Sequence, residues 1–268
     1  MQKDKNTILD TLELIYSKYN KKEFVHPDPL EFLYKYTKQE DIELVGLISS
    51  SLALGRVEQI LLAIDQILKP LGNQPSETLE RLKKKDLDVI YKNFIYRFFK
   101  TEDIVQLLMS FKKIKEHYFT IENLLYNIYK KNKNLVLSLD TLITQMEKMN
   151  GQSFGIILPK PSKGSACKRL FLFLRWMIRK DEVDLGIWNK FNPSNLIVPM
   201  DTHMTYISSK LFNIQINKNI SLKKAIEVTK HFLKNNKDDP VKYDFSLTRF
   251  GIHKDFDKKE LFTNIFKN

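Results

Sequence analysis

The stretch Leu158-Pro159-Lys160-Pro161-Ser162-Lys163-Gly164-Ser165-Ala166-Cys167-Lys168-Arg169-Leu170 decides how the chain is read. A Pro/Gly turn feeds directly into an apolar run whose spacing predicts a helix from Ser165 to Arg179. Amides at a helix start have no partner within the helix, and the helix dipole favours an anion there. Gly164 and Ser165 are small enough to let such an anion approach. Lys160, Lys163, Lys168, Arg169 and Arg175 bring positive charge to the same junction.

Outward from this junction the sequence reads as helices. Ile8 to Tyr19 has an amphipathic spacing, and two prolines then break the chain at Val25-His26-Pro27-Asp28-Pro29. Pro29 to Tyr36 reads as a short helix with proline at its start. Asp41 to Leu54 is apolar and stops at Gly55, and Val57 to Leu68 follows. Thr101 to about His117, Ile121 to Lys131 and Leu135 to Met149 complete the first half. Residues 150–164, with Gly151, Gly155, Gly164, Pro159 and Pro161, form a loop or hairpin dividing two helical lobes. Helices over Asp201 to Leu211, Ser221 to Lys234 and Pro240 to Phe250, and a last short one over Asp257 to Phe266, are expected in the second half. The fold class is all-α: a helical lobe over about 30–150, a hairpin with its helices over about 151–211, and C-terminal helices over about 212–268 packing on both.

A second stretch, Leu196-Ile197-Val198-Pro199-Met200-Asp201-Thr202-His203, delivers an acidic residue to the start of a helix. A lone Asp at that place is most often an N-cap.

Composition narrows the function classes. The 268 residues carry 44 basic and 32 acidic side chains, a net charge of +12, with 43% hydrophobic residues to build a core. A nucleic-acid partner fits that charge. So does plain compositional bias, because Lys, Asn and Ile are all abundant. One cysteine excludes a disulfide framework and a four-cysteine metal or iron–sulfur site. The scattered His and acidic residues lack metal-ligand spacing, so neither metal nor cofactor is expected. The polar opening, Met1 to Asp10, is no signal segment, and no run reaches the roughly 18 apolar residues of a membrane span. A cytoplasmic monomer with no membrane contact is the resulting expectation.

Taken together, the two stretches resemble those of the helix–hairpin–helix DNA glycosylase superfamily, the endonuclease III-like base-excision enzymes. Met200-Asp201-Thr202-His203 with Ile207 and Leu211 is similar to the motif carrying that superfamily's catalytic Asp. Cys167-Lys168-Arg169, running into Leu170 to Leu174, resembles the lysine helix of the archaeal 8-oxoguanine glycosylase class, and the long gap from Lys168 to Asp201 agrees. The superfamily hairpin usually has two glycines, whereas this one has Gly164 alone. Lys163 is therefore the alternative nucleophile. Tyr243 to Gly251 is similar to a late helix of the superfamily, without the cysteines that hold the endonuclease III iron–sulfur cluster. From about residue 25 to 255 the chain also looks like a largely uncharacterised bacterial family, grouped with these glycosylases only distantly.

The resemblance implies a base-excision glycosylase with AP lyase activity on double-stranded DNA holding a damaged base, 8-oxoguanine being one candidate. Lys168 would be the Schiff-base nucleophile and Asp201 its carboxylate partner. Lys160, Lys163, Gly164, Ser165, Arg169 and His203 would contact DNA. Ser49, Ser50, Arg56 and Trp188 would border the pocket of the extruded base, with Trp176, Phe154 and Tyr206 as further aromatic candidates. Each has a plainer reading: three serines on an apolar helix suit close packing, and Trp176 sits among core residues. Two other functions fit the same sequence. One is a non-catalytic helix–hairpin–helix module that binds nucleic acid through its backbone. The other is a helical interaction scaffold whose charge is merely compositional.

Overall fold

The computed structural model describes residues 5–215, 220–252 and 261. They are mostly helical, and the strands among them form one two-stranded sheet. The chain divides into two compact units. Residues 28–163 form one, and residues 1–27 with 164–268 form the other. The division falls at the end of the expected loop, and the N-terminal helix, α1 (Lys5–Tyr19), belongs with the C-terminal half.

The unit of residues 28–163 opens with a 3₁₀ segment, Pro29–Lys35, closed at its start by an Asp28–Glu31 capping box. Then come α2 (Gln39–Leu52), α3 (Val57–Leu68), α4 (Pro75–Arg81) and α5 (Lys84–Ile90). The hairpin β1 (Ile95–Tyr96) and β2 (Phe99–Lys100) leads into α6 (Thr101–Tyr118), α7 (Ile121–Asn132) and α8 (Leu135–Asn150). Leu44, Val45 and Ile48 of α2 are buried, as are Leu107, Leu108 and Phe111 of α6. Nearly every side chain of α2 is enclosed, its acids and serines included. Its two buried acids serve other helices. Asp41 accepts the Ser76 amide of α4 at 2.8 Å, and Glu43 accepts the Ile121 amide of α7 at 2.8 Å. Burial raises the Asp41 carboxyl, while the Ser76 amide works against that shift.

The other unit contains α1, α9 (Lys168–Ile178), α10 (Thr202–Leu211), α11 (Leu222–Leu233) and α12 (Asp244–Ile252). Leu12 and Ile15 of α1, Phe171, Leu174 and Trp176 of α9, Ile207 of α10, Phe232 of α11 and Leu247 of α12 are buried. Ser221 caps α11 by accepting the Lys224 amide at 3.3 Å. Two helices start later than their periodicity predicts. α9 begins at Lys168 because Cys167 takes a left-handed conformation (φ 47°), with Ser165 Oγ accepting the Cys167 amide at 3.2 Å. α12 begins at Asp244, four residues beyond Pro240. The expected helix over Asp257 to Phe266 lies outside the described residues, apart from the buried Leu261.

Candidate active site at two helix starts

Lys168 is the first residue of α9, and Asp201 is the cap immediately before α10. Gly164, in the left-handed region at φ +80°, turns the chain, and its carbonyl accepts the Leu222 amide at 3.0 Å. Ser165 bridges to Ser221, so the approach to α9 is tied to the approach to α11. Val198, just before the Asp201 cap, donates its amide to Thr229 Oγ1 of α11 at 3.0 Å. Two extended segments are thus anchored to one helix, and each ends at a reactive side chain.

The two side chains meet. Lys168 Nζ lies 3.2 Å from Asp201 Oδ2, with the lysine side chain 32% and the aspartate side chain 15% exposed. The other oxygen of Asp201, Oδ1, accepts the Met204 amide at 2.8 Å. Burial pulls the Asp201 carboxyl upward. The Lys168 ammonium, the Met204 amide and the His203 side chain outweigh it and hold the group below the usual carboxylate range. A half-exposed amine therefore stands beside a carboxylate that stays ionised, at the surface of a rigid helical unit.

His203 is part of the same corner, half-buried in the first turn of α10. It packs against α12 so closely that a Cβ at Gly251 would lie 2.2 Å from its Nδ1. Glycine at 251 is what lets α12 approach.

The remaining residues singled out in the sequence divide. Lys163 is exposed at the end of the 3₁₀ turn Pro161–Lys163, in the unit of residues 28–163, and Arg56 is exposed in that unit at the start of α3. Lys160 is committed to an ion pair with Glu147 at 2.6 Å. Arg169 is not a surface cation, because its side chain is buried. Arg175 also turns inward, onto Asp184 and Asp244. Ser49 and Ser50 are enclosed within their unit. Both are buried in α2, Ser50 bonded to the Leu47 carbonyl at 3.3 Å, and they suit close helix packing. Trp188 is likewise core: it is buried edge-on to Phe173 at 5.5 Å and against Phe191 at 5.8 Å. Trp176 and Phe154 are buried, and Tyr206 is exposed.

Two features have a form that the sequence did not show. One is the role of Asp244, which meets Arg175 from 69 positions away. The other is the tip of the β1–β2 hairpin. Arg97 and Phe98 form its turn, with Phe98 64% exposed under the Arg97 guanidinium and Tyr96 bonded to the Leu54 carbonyl at 2.7 Å. Among the described residues, no group of three or more His, Cys, Asp and Glu side chains could hold a metal ion. No described helix is long and apolar enough to cross a membrane.

A mostly helical protein with a lysine–aspartate pair at two helix starts is the class that fold and site define. Over residues 28–253 the sequence matches the family described as Protein of unknown function (DUF2400), and the chain belongs to that family. No curated protein and no solved structure matches it.

Proposed function

We propose that the protein is a DNA base-excision glycosylase with lyase activity, with Lys168 as nucleophile and Asp201 as its partner, built around a helix–hairpin–helix-like entry into α9. The observation that carries this reading is the 3.2 Å contact between Lys168 Nζ and Asp201 Oδ2. The two motifs that resemble the superfamily's catalytic stretches lie far apart in sequence, yet their key side chains touch. They do so where the lysine keeps a solvent-facing side.

The chemistry follows from the groups present. Asp201, an ionised carboxylate, accepts the proton that the Lys168 ammonium must shed. The amine nitrogen then bonds to C1′ of the damaged nucleotide. The bond from C1′ to the base breaks, and the base departs with its electron pair and takes the proton from Asp201, which leaves the carboxylate ionised again. Positive charge developing on the sugar is stabilised by the same carboxylate. Ring opening leaves an iminium between Lys168 and C1′. Loss of a C2′ proton expels the 3′ phosphate oxygen, and water releases the lysine. The base must first leave the stack.

Duplexes each carrying one damaged base test the reading through base release and strand nicking. Asp201→Asn is expected to slow release sharply while DNA binding stays nearly intact. Binding without release or nicking on any lesion would favour a non-catalytic nucleic-acid module instead.

A further inference from the structure

A buried set of charges lies beside the pair. Arg175 of α9 donates from Nε to Asp184 Oδ1 at 3.1 Å and from Nη1 to Asp244 Oδ2. Arg179 donates to Asp184 at 3.0 Å, to Asp239 at 2.6 Å and to Asp181. The carboxyls of Asp181, Asp184, Asp239 and Asp244 thus share the guanidiniums of Arg175 and Arg179, and negative charge is in excess. In a low-dielectric interior, a carboxyl in such a cluster relieves the excess by keeping a proton.

The four carboxyls are not equivalent. Asp181 and Asp239 reach solvent, and Asp184 accepts from both guanidiniums. Asp244 is buried, Arg175 engages one of its oxygens, and Oδ1 has no hydrogen-bond partner among the described residues. An orphan anionic oxygen is far costlier than an orphan hydroxyl. The charges that face Asp244 come from Arg175 on α9, Asp184 on the following loop and Asp201 at the start of α10. On α1, which packs on α12, Glu13 engages Lys242 and Tyr243. Arg249, on Asp244's own helix, lies over Phe245.

We infer that Asp244 is a positioning residue for the Lys168–Asp201 pair: it holds the proton of this cluster, and by keeping or releasing it sets how much negative charge stands behind Asp201. The inference rests on the reading of that pair as the reactive one. Burial pushes the Asp244 carboxyl up to about 6, with Arg175 opposing the shift and the Asp201 charge adding to it. Below that pH, Asp244 is neutral and Asp201 faces the lysine without a second carboxylate behind it. Above it, Asp244 adds negative charge that tightens the hold on the ammonium and opposes its conversion to a nucleophile.

Carbon-13 NMR of protein labelled at aspartate carboxyls follows Asp244 directly, its signal assigned by loss in Asp244→Asn or Asp244→Glu. Its midpoint is expected near 6, and lower in Asp201→Asn, which removes a charge that raises it. A midpoint near the ordinary ~4 of a carboxyl, or one unmoved by Asp201→Asn, overturns the inference. A second arm reads borohydride trapping of Lys168 on DNA against pH. Wild type is expected to show an inflection near 6 that Asp244→Asn lacks. Identical trapping profiles overturn the inference alone. A titration as expected with no adduct at any pH instead overturns the reactive role of the pair, while the charge coupling of Asp244 to Asp201 stands.

Discussion

Asp201 spends its two carboxylate oxygens on different partners: Oδ1 accepts the Met204 amide at 2.8 Å, and Oδ2 faces Lys168 Nζ at 3.2 Å. A helix cap and a reactive partner are thus one side chain. Asn can replace the first role and not the second, since it caps helices about as well as Asp. Asp201→Asn is expected to cost less than about 1 kcal/mol in urea unfolding, and Asp201→Ala about 1–2 kcal/mol. Both should slow single-turnover base release by about 10²- to 10⁴-fold. A large loss of rate with Asn and little loss of stability separates the two roles.

The same carboxylate fixes a pH dependence. Its folded-state pKa is held below the ordinary value by Lys168, the Met204 amide and His203 despite burial. A depressed carboxyl contributes stability above its unfolded pKa of ~3.9, and that contribution is lost as pH falls through the folded value. Unfolding curves of wild type and Asp201→Asn, compared at descending pH, are expected to converge in the acid range.

Arg175 and Lys163 should respond in opposite ways. Arg175 is buried between Asp184 and Asp244, so Arg175→Ala leaves the buried Asp244 without its cation and Asp184 with Arg179 alone, and should cost about 3–5 kcal/mol. Lys163 is exposed, so Lys163→Gln should leave the unfolding midpoint in place. If it contacts a phosphate, the same change lowers the slope of log affinity for DNA against log salt by about one. Titrations at several salt concentrations, paired with urea melts, read both.

Gly251 offers a sharp steric test. An alanine in a helix interior ordinarily gains about 1 kcal/mol over glycine. Here its Cβ would fall 2.2 Å from His203 Nδ1, so His203 or α12 must move. Gly251→Ala is therefore expected to be destabilising, by about 1–3 kcal/mol as overpacking usually is. It should also reduce adduct formation, because His203 follows the Asp201 cap by two residues. Thermal melts and trapping of the one variant check both expectations.

What the sequence revealed depended on range. Helix periodicity is local, and local chemistry is legible in one chain. Lys168 and Asp201 were legible because each lies in a motif with a recognisable neighbourhood. Residues 73–100 gave no strong period, and there α4, α5 and the hairpin form through tertiary support. Asp41, for instance, caps α4 from α2. Charged residues misled most. Arg169 and Arg175 stand beside Lys168 in sequence and look like one basic patch. A helix, however, turns neighbours to different faces, and both side chains point into the unit. The acids that receive Arg175, Asp184 and Asp244, come from separate segments, and no spacing rule announces such a meeting.

The most direct measurement is reduction with borohydride of the protein mixed with lesion-bearing duplex, followed by peptide mapping of the adduct. The expected result is a covalent protein–DNA product attached at Lys168, abolished in Lys168→Ala and strongly reduced in Asp201→Asn. An adduct mapped to Lys163, or one undiminished in Lys168→Ala, would contradict it.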